Sequence, residues 1–257
     1  MYPDLFGVHN LSYTLMLIIG LIFAVCALVW YMKRKGYSSN TIKDLVACTF
    51  FTIAIGLVGA ILFQNFYDLI SDPSNYTFNF KMTFYGGLIA GAAGFIALFF
   101  LYVKKHNDIR FAEITIIAPL CITGAHAFGR IGCFLAGCCY GKETDSWIGV
   151  DFPGIGKRIP TQLIEAIFLF VLTGVLIYLI CKTKFKWTLH LYMASYSIFR
   201  FVIEFFRGDA QRGGTLLGLY PSQVICVLIW IAFVPLIFVF KKYVFNGMES
   251  NEQKQDL

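Results

Sequence analysis

Read for its apolar and polar positions, the chain is a succession of long apolar runs cut by short polar ones. The runs cover roughly Leu11–Met32, Leu45–Phe66, Met82–Val103, Phe111–Phe128, Thr161–Cys181, Leu189–Phe206 and Tyr220–Phe240. Each is close to the about 20 residues that a helix needs to cross a bilayer. Barrel strands would instead alternate in segments of about 10 residues. The pattern predicts an all-α integral membrane protein with seven transmembrane helices. Pro119 inside the fourth run marks a kink. Residues 68–81 and 129–160 read as polar loops rich in turn formers.

Charge placement orients the helices. Lys33-Arg34-Lys35, Lys104-Lys105, Lys182 with Lys184 and Lys186, and Lys241-Lys242 follow the first, third, fifth and seventh runs. Positive residues favour the cytoplasmic side, so the N-terminus is expected outside and the C-terminus in the cytoplasm. The first ten residues carry Asp4 and no lysine or arginine, so no cleavable leader is expected. Residues 1–245 then form one seven-helix membrane domain with an outer-face loop region near 129–160. Residues 246–257 form a polar cytoplasmic tail.

Composition agrees. The chain is 58% hydrophobic and 14% charged, against about 25% charged in soluble domains. A water-soluble globule is excluded. The net charge of +6 resides largely in the clusters between apolar runs, so it is topological information and no sign of nucleic-acid binding.

Candidate chemistry gathers toward the outer side. Gly129-Arg130-Ile131-Gly132-Cys133-Phe134-Leu135-Ala136-Gly137-Cys138-Cys139-Tyr140-Gly141 holds four glycines, three cysteines and one arginine. An arginine at the end of an apolar run marks either a functional site or a snorkelling side chain. On the sixth run, Tyr196, Arg200, Glu204 and Arg207 follow at spacings of four, four and three, which places them on one helix face. Glu204 can pair with either arginine. The group is read either as an ion pair that locks helix packing or as guanidinium forks that grip a phosphate. Arg130, Lys142, Lys157, Arg158, Arg207 and Arg212 fall on the outer side, where short loops normally avoid positive charge. They suggest bound lipid phosphate, or for the loop residues ordinary solvated charge. Tyr13 and Tyr85 fall at the outer interface. Gly86, Gly87, Gly91 and Gly94 suit close helix approach. Gln162 and Glu165 open the fifth helix, either as caps or holding the preceding loop over a site. Cys133, Cys138 and Cys139 read first as small packing residues and second as a disulfide. With His126 they invite a metal reading too, but no CxxC is present and no metal site is assigned from the spacing.

These motifs resemble the bacterial prolipoprotein diacylglyceryl transferase family over nearly the whole chain. Its signature reads Gly-Arg-x-Gly-Asn-Phe-x-Asn-Gly-Glu-x-x-Gly; Gly129, Arg130, Gly132, Phe134, Gly137 and Gly141 stand in register. Arg200-Phe201-Val202-Ile203-Glu204-Phe205-Phe206-Arg207 is similar to its Arg-Phe-x-x-Glu-Phe-x-Arg, with Tyr196 also matching. Ser12-Tyr13-Thr14-Leu15-Met16 resembles its first-helix Tyr-Gly-Leu-Met. Pro160, Gln162, Leu163, Glu165 and Ala166 match its Pro-x-Gln-Leu-x-Glu-Ala. Cys133 and Ala136 replace the signature asparagines, Cys138 replaces the glutamate, and Tyr85 stands where the family usually has histidine.

The resemblance implies transfer of a diacylglyceryl group from phosphatidylglycerol to the lipobox cysteine of secreted prolipoproteins, releasing glycerol 1-phosphate. It implies no cofactor, and the bacterial plasma membrane with the site facing the outer leaflet. Arg130, Arg200 and Tyr85 become the expected catalytic residues. Tyr13, Tyr196, Glu204, Arg207, Gly132, Gly141 and Gln162, with Arg130, become the expected lipid-binding set. A related transferase with another acceptor, and a non-catalytic phospholipid-binding protein, stand beside this reading.

Overall fold

The computed structural model describes residues 10–74, 76–183, 185–208 and 218–245. Nearly everything in it is helix. The elements are α1 (Leu11–Arg34), α2 (Ser39–Ser71), α3 (Phe84–Leu98), α4 (Phe111–Ala136), α5 (Thr161–Lys182), α6 (Thr188–Ile203) and α7 (Pro221–Val239). A π turn, Phe99–Val103, and a short helical stretch, Lys104–His106, extend α3; a π turn, Phe240–Phe245, extends α7; and a 3-10 turn, Glu204–Phe206, closes α6. A small antiparallel ribbon, β1 (Val150–Phe152) with β2 (Gly156–Arg158), pairs Val150 with Arg158 and Phe152 with Gly156.

Among the described residues six stretches are long and apolar enough to cross a membrane: Leu11–Arg34, Ser39–Ile70, Gly86–His106, Phe111–Ala136, Thr161–Lys182 and Pro221–Phe245. Their outer faces carry bare Leu17, Ile22, Phe51, Leu62, Ile167, Val171, Leu228 and Ile231, among others. Such continuous apolar surface needs a lipid solvent, so the chain is a multi-pass helical membrane protein. The helix expected over Leu189–Phe206 is the exception. As α6 it has 16 helical residues, about 24 Å at 1.5 Å per residue, before tightening at Glu204.

Three further boundaries depart from expectation, one being the end of α2, which runs past Phe66 to Ser71 and makes the first residues of the expected 68–81 loop helical. α2 begins at Ser39, earlier than the apolar pattern suggests, because the Ser38 hydroxyl accepts from the Thr41 amide and caps it. α4 runs two turns past Phe128 to Ala136. The stretch expected as loop from Gly129 is therefore helical as far as Ala136, and Arg130 and Cys133 stand on the helix. It ends at Gly137, whose φ is 72°. The Gly137 amide donates to the Phe134 carbonyl and the Cys138 amide to the Cys133 carbonyl, the paired bonds of a Schellman stop.

The described chain groups into two compact units, Met1–Leu28 with Phe111–Leu257 and Val29–Arg110. In the second unit α2 packs along α3. A Cβ on Gly87 would lie 3.2 Å from the Gly56 carbonyl and one on Gly86 2.4 Å from the Phe63 Cβ, so these glycines serve close helix approach as expected. Buried Asn65 donates to the Asn79 carbonyl and accepts from its amide, which ties the 72–83 connection to α2.

In the first unit α4 is the central helix, with Ile114, Ile116, Ile117, Leu120, Thr123 and Ala127 all buried. Thr173 of α5 bonds Thr123 of α4 at 3.0 Å. The Thr188 hydroxyl at the start of α6 donates to the Ile116 carbonyl at 2.8 Å. Phe168 and Phe199 stack between α5 and α6, and Trp230 of α7 donates to Ser197 of α6. Hydrogen bonds of this kind between helices satisfy polar groups that lipid cannot. The effect is to bring the ends of α4, α5 and α6 together.

Candidate functional site

Glu165 is the hub of the site. It lies one turn into α5 and is 2% exposed. Its Oε2 faces Arg130 Nε of α4 at 3.0 Å and Arg200 Nη1 of α6 at 3.8 Å. Its Oε1 accepts from the Tyr196 hydroxyl at 2.8 Å and lies 3.6 Å from His126 Nε2. Arg200 Nη2 meets Glu204 Oε2 at 2.8 Å, and Arg207 Nη1 meets the same oxygen at 3.7 Å. Three helices thus deliver an alternating chain, Arg130–Glu165–Arg200–Glu204–Arg207. Its guanidiniums are planar forks held in place by carboxylates, the kind of group that grips a phosphate.

The spacing on α6 does what the sequence suggests: Tyr196, Arg200 and Glu204 share a face, and Glu204 holds both Arg200 and Arg207. Glu165 differs from its sequence reading. It makes no helix cap; it is the second carboxylate that a cluster of three arginines needs. Nothing local in the sequence shows this, because its partners are 35 residues away on either side. His126, considered with the cysteines, instead faces Glu165 and packs edge-on against Tyr196, ring centres 5.4 Å apart.

Gln162 holds the preceding loop, the second of its two readings. Its Nε2 donates to the Cys138 carbonyl, and the Thr161 hydroxyl donates to the Cys139 carbonyl at 2.9 Å. The Oε1 of Gln162 is buried and has no hydrogen-bond partner among the described residues. Gly141 lies against two strands of backbone. Its amide donates to the Ile159 carbonyl at 2.8 Å, and it bridges Arg207 in ladder fashion. A Cβ there would sit 2.7 Å from the Ile159 oxygen and 2.8 Å from the Phe206 oxygen, so only glycine fits. Gly132 lets α1 approach α4: a Cβ would sit 3.0 Å from the Tyr13 ring. Tyr13 is thereby placed within electrostatic range of Arg130 and of the three cysteines.

The three sulfur atoms of Cys133, Cys138 and Cys139 lie within 4.8 Å of one another, and among the described residues none of the three is joined in a disulfide. Cys139 has a φ of 61°, the left-handed region that side chains disfavour. Hydrogen bonding from the Cys133 and Cys138 thiols holds the Cys139 thiol below its ordinary range, with Arg130 and Arg207 adding to the effect. The same contacts push Cys138 up. Among the outer-side charges, Arg158 pairs with exposed Glu143 at 3.5 Å and Lys157 donates to the Asp145 carbonyl, which is ordinary loop behaviour. The Tyr85 side chain, Arg212 and the tail 246–257 lie outside the described residues.

A family model described as prolipoprotein diacylglyceryl transferase matches residues 4–239. The chain is similar to phosphatidylglycerol–prolipoprotein diacylglyceryl transferase 2 of Clostridium perfringens, 36% identical over 243 residues, 89% of this chain and 90% of the relative. It is also similar to the phosphatidylglycerol–prolipoprotein diacylglyceryl transferase of Clostridium tetani, 34% identical over 230 residues, 84% and 88% of the two chains. The enzyme of that name from Vibrio cholerae is 31% identical over 263 residues, 89% and 90% of the two chains.

Proposed function

The chain belongs to the prolipoprotein diacylglyceryl transferase family, and on that premise we propose that it transfers a diacylglyceryl group from phosphatidylglycerol to the lipobox cysteine thiol of prolipoproteins, in the bacterial plasma membrane. The observation that carries the reading is the arginine–carboxylate chain, which gathers Arg130, Arg200 and Arg207 where α4, α5 and α6 meet.

The reaction is displacement at the glyceryl carbon bonded to phosphate oxygen. The thiol gives up its proton to water, its sulfur forms a bond to that carbon, the carbon–oxygen bond breaks, and the electron pair of that bond leaves with glycerol 1-phosphate. The phosphate group gains negative charge as the bond breaks. Arg130 and Arg200 are the groups to receive it. Glu165 and Glu204 hold them in place beforehand, so no reorganisation is needed in the transition state. Tyr196 is fixed by Glu165, and with Tyr13 it positions headgroup oxygens. Gln162 Oε1 is a buried acceptor suited to a headgroup hydroxyl. Gly132 and Gly141 give room for α1 and the loop to approach. Arg207 completes the charge chain beside Gly141. Tyr85 is assigned hydrogen bonding to the lipid or a proton relay, since a tyrosine side chain is in general a poor base at neutral pH.

We also propose seven spans, with α6 the short one and residues 1–245 forming a single membrane domain. The N-terminus and the site face the outer leaflet and the tail 246–257 is cytoplasmic. Support comes from Lys33 and Arg34 in the last turn of α1, Lys104 and Lys105 after α3, Lys182 in the last turn of α5, and Lys242 after α7. Cysteine substituted into the 142–148 loop and labelled from outside intact cells tests the orientation; labelling only after the membrane is opened contradicts it. For the reaction, the test is Arg130→Ala and Arg200→Ala in phosphatidylglycerol vesicles with a lipobox peptide. Both should lose transfer; a wild-type rate in either removes that arginine from the chemistry.

A further inference from the structure

We propose that Cys133, Cys138 and Cys139 form a three-thiolate site for a zinc-class divalent ion, and that the fourth ligand position takes the acceptor thiol; the second half rests on the transfer reaction proposed above. The geometry is that of a site rather than of packing. Tetrahedral zinc with Zn–S bonds of about 2.3 Å spaces its sulfurs about 3.8 Å apart. The three sulfurs here are within 4.8 Å of one another, so a contraction of about an ångström or less completes the set.

Spacing alone argues against such a site, because adjacent cysteines normally point apart. The fold removes that objection. Cys139 takes a left-handed φ of 61°, which turns its side chain back toward those of Cys133 and Cys138. Among the described residues only Asn10 shares that conformation without being glycine. The Schellman stop places Cys138 against the last turn of α4. Gln162 and Thr161 then pin the carbonyls of Cys138 and Cys139. Backbone held in a disfavoured conformation by three sets of bonds is a sign of function.

The surroundings suit a soft cation with a position left open. The cluster is at the C-terminal end of α4, where the helix dipole favours positive charge. Three thiolates and a divalent ion carry one net negative charge, and Arg130 and Arg207 lie in electrostatic range to offset it. All three cysteines are only half-buried, so a fourth ligand can reach them. Three protein ligands with an open fourth position is the pattern of catalytic rather than structural zinc.

The chemistry fits the same place. Cys133 lies three residues after Arg130 on α4, hence on the same face and one turn along, about 5 Å. A thiol entering the fourth position gives up its proton to solvent and becomes a thiolate. Its sulfur attacks the glyceryl carbon of the lipid held by Arg130. The new carbon–sulfur bond forms as the carbon–oxygen bond breaks, and the phosphate leaves with the electron pair. The thioether produced is a weaker ligand than the thiolate, so the product departs. Such a device supplies the nucleophile that Tyr85, as a poor base, does not.

The test uses the full chain, purified under reducing conditions, stripped with a chelator and reloaded with Zn2+ or Co2+ alone. One zinc per chain by mass spectrometry of the metal, and thiolate-to-cobalt charge-transfer absorption, are expected. Cys133→Ser, Cys138→Ser and Cys139→Ser should each weaken retention by at least about a hundredfold, whereas exposed Cys26→Ser should not. A lipobox peptide should shift the cobalt bands and its serine counterpart should not. Stripped wild-type chain should lose transfer and regain it with zinc, which needs no variant to fold. Failure to retain metal with all three thiols reduced overturns the site, as does a metal-insensitive disulfide among them. A bound metal with no response to the peptide overturns the acceptor role. Metal and peptide binding without transfer counts against the reaction and leaves the metal site standing.

Discussion

Replacing Glu165 with glutamine tests the arrangement most severely, because one carboxylate holds two arginines from two helices. At an effective dielectric of about 20, Coulomb's law gives about 5.5 kcal/mol for two unit charges at the 3.0 Å Arg130 contact and about 4.4 kcal/mol at the 3.8 Å Arg200 contact. Desolvation of a buried carboxylate cancels much of this, and removing one partner of a buried pair costs about 3–5 kcal/mol. The side chains involved are 3–17% exposed, so screening by water is slight. Glu165→Gln keeps the shape and removes the charge. A loss of about 3 kcal/mol lowers the unfolding temperature of a chain this size by about 6–12 °C. Transfer should fall about a hundredfold or more, since neither arginine is then fixed for the leaving phosphate. Thermal unfolding in detergent and lipobox-peptide transfer in phosphatidylglycerol vesicles read the two effects. A variant that unfolds and reacts like wild type refutes the hub. One that loses stability but keeps its rate makes Glu165 a packing element alone.

Other outcomes follow from the same geometry. Arg200→Lys keeps the charge but loses the planar fork shared between Glu165 and Glu204; transfer should drop about tenfold to a hundredfold, with headgroup affinity measured by lipid competition falling in step. Gly141→Ala forces a Cβ to within 2.7 Å of the Ile159 carbonyl and should cost about 1–3 kcal/mol, seen as faster proteolysis of the 142–158 loop at unchanged expression. Tyr85→Phe should keep transfer within about tenfold, because tyrosine is in general a weak base at neutral pH; complete loss would make Tyr85 essential to the proton transfer.

Much of the molecule is legible from one-dimensional pattern. Apolar runs give the helices, and the spacing of Tyr196, Arg200, Glu204 and Arg207 gives one arm of the site before any fold is known. What the pattern hides is tertiary. Glu165 reads as a helix-start residue until Arg130 and Arg200 arrive from other helices. Gly129 to Ala136 reads as loop because it is rich in glycine, yet in a helix packed against α1 those glycines are contact points, and the stop comes at Gly137. The convergence of Cys133, Cys138 and Cys139 depends on one left-handed residue, Cys139, which no spacing rule foresees. α6 falls short of the span expected for it because its last turn tightens where Glu204 reaches for two arginines.

The charge chain is proposed to serve transfer of a diacylglyceryl group to a cysteine thiol. Mass spectrometry of a lipobox peptide, incubated with the protein in phosphatidylglycerol vesicles, measures it directly. A diacylglyceryl mass increment on the cysteine, absent with Arg130→Ala, is the predicted result. Phosphatidylglycerol turnover with the peptide unmodified would contradict the acceptor, and lipid binding with neither product would contradict the reaction itself.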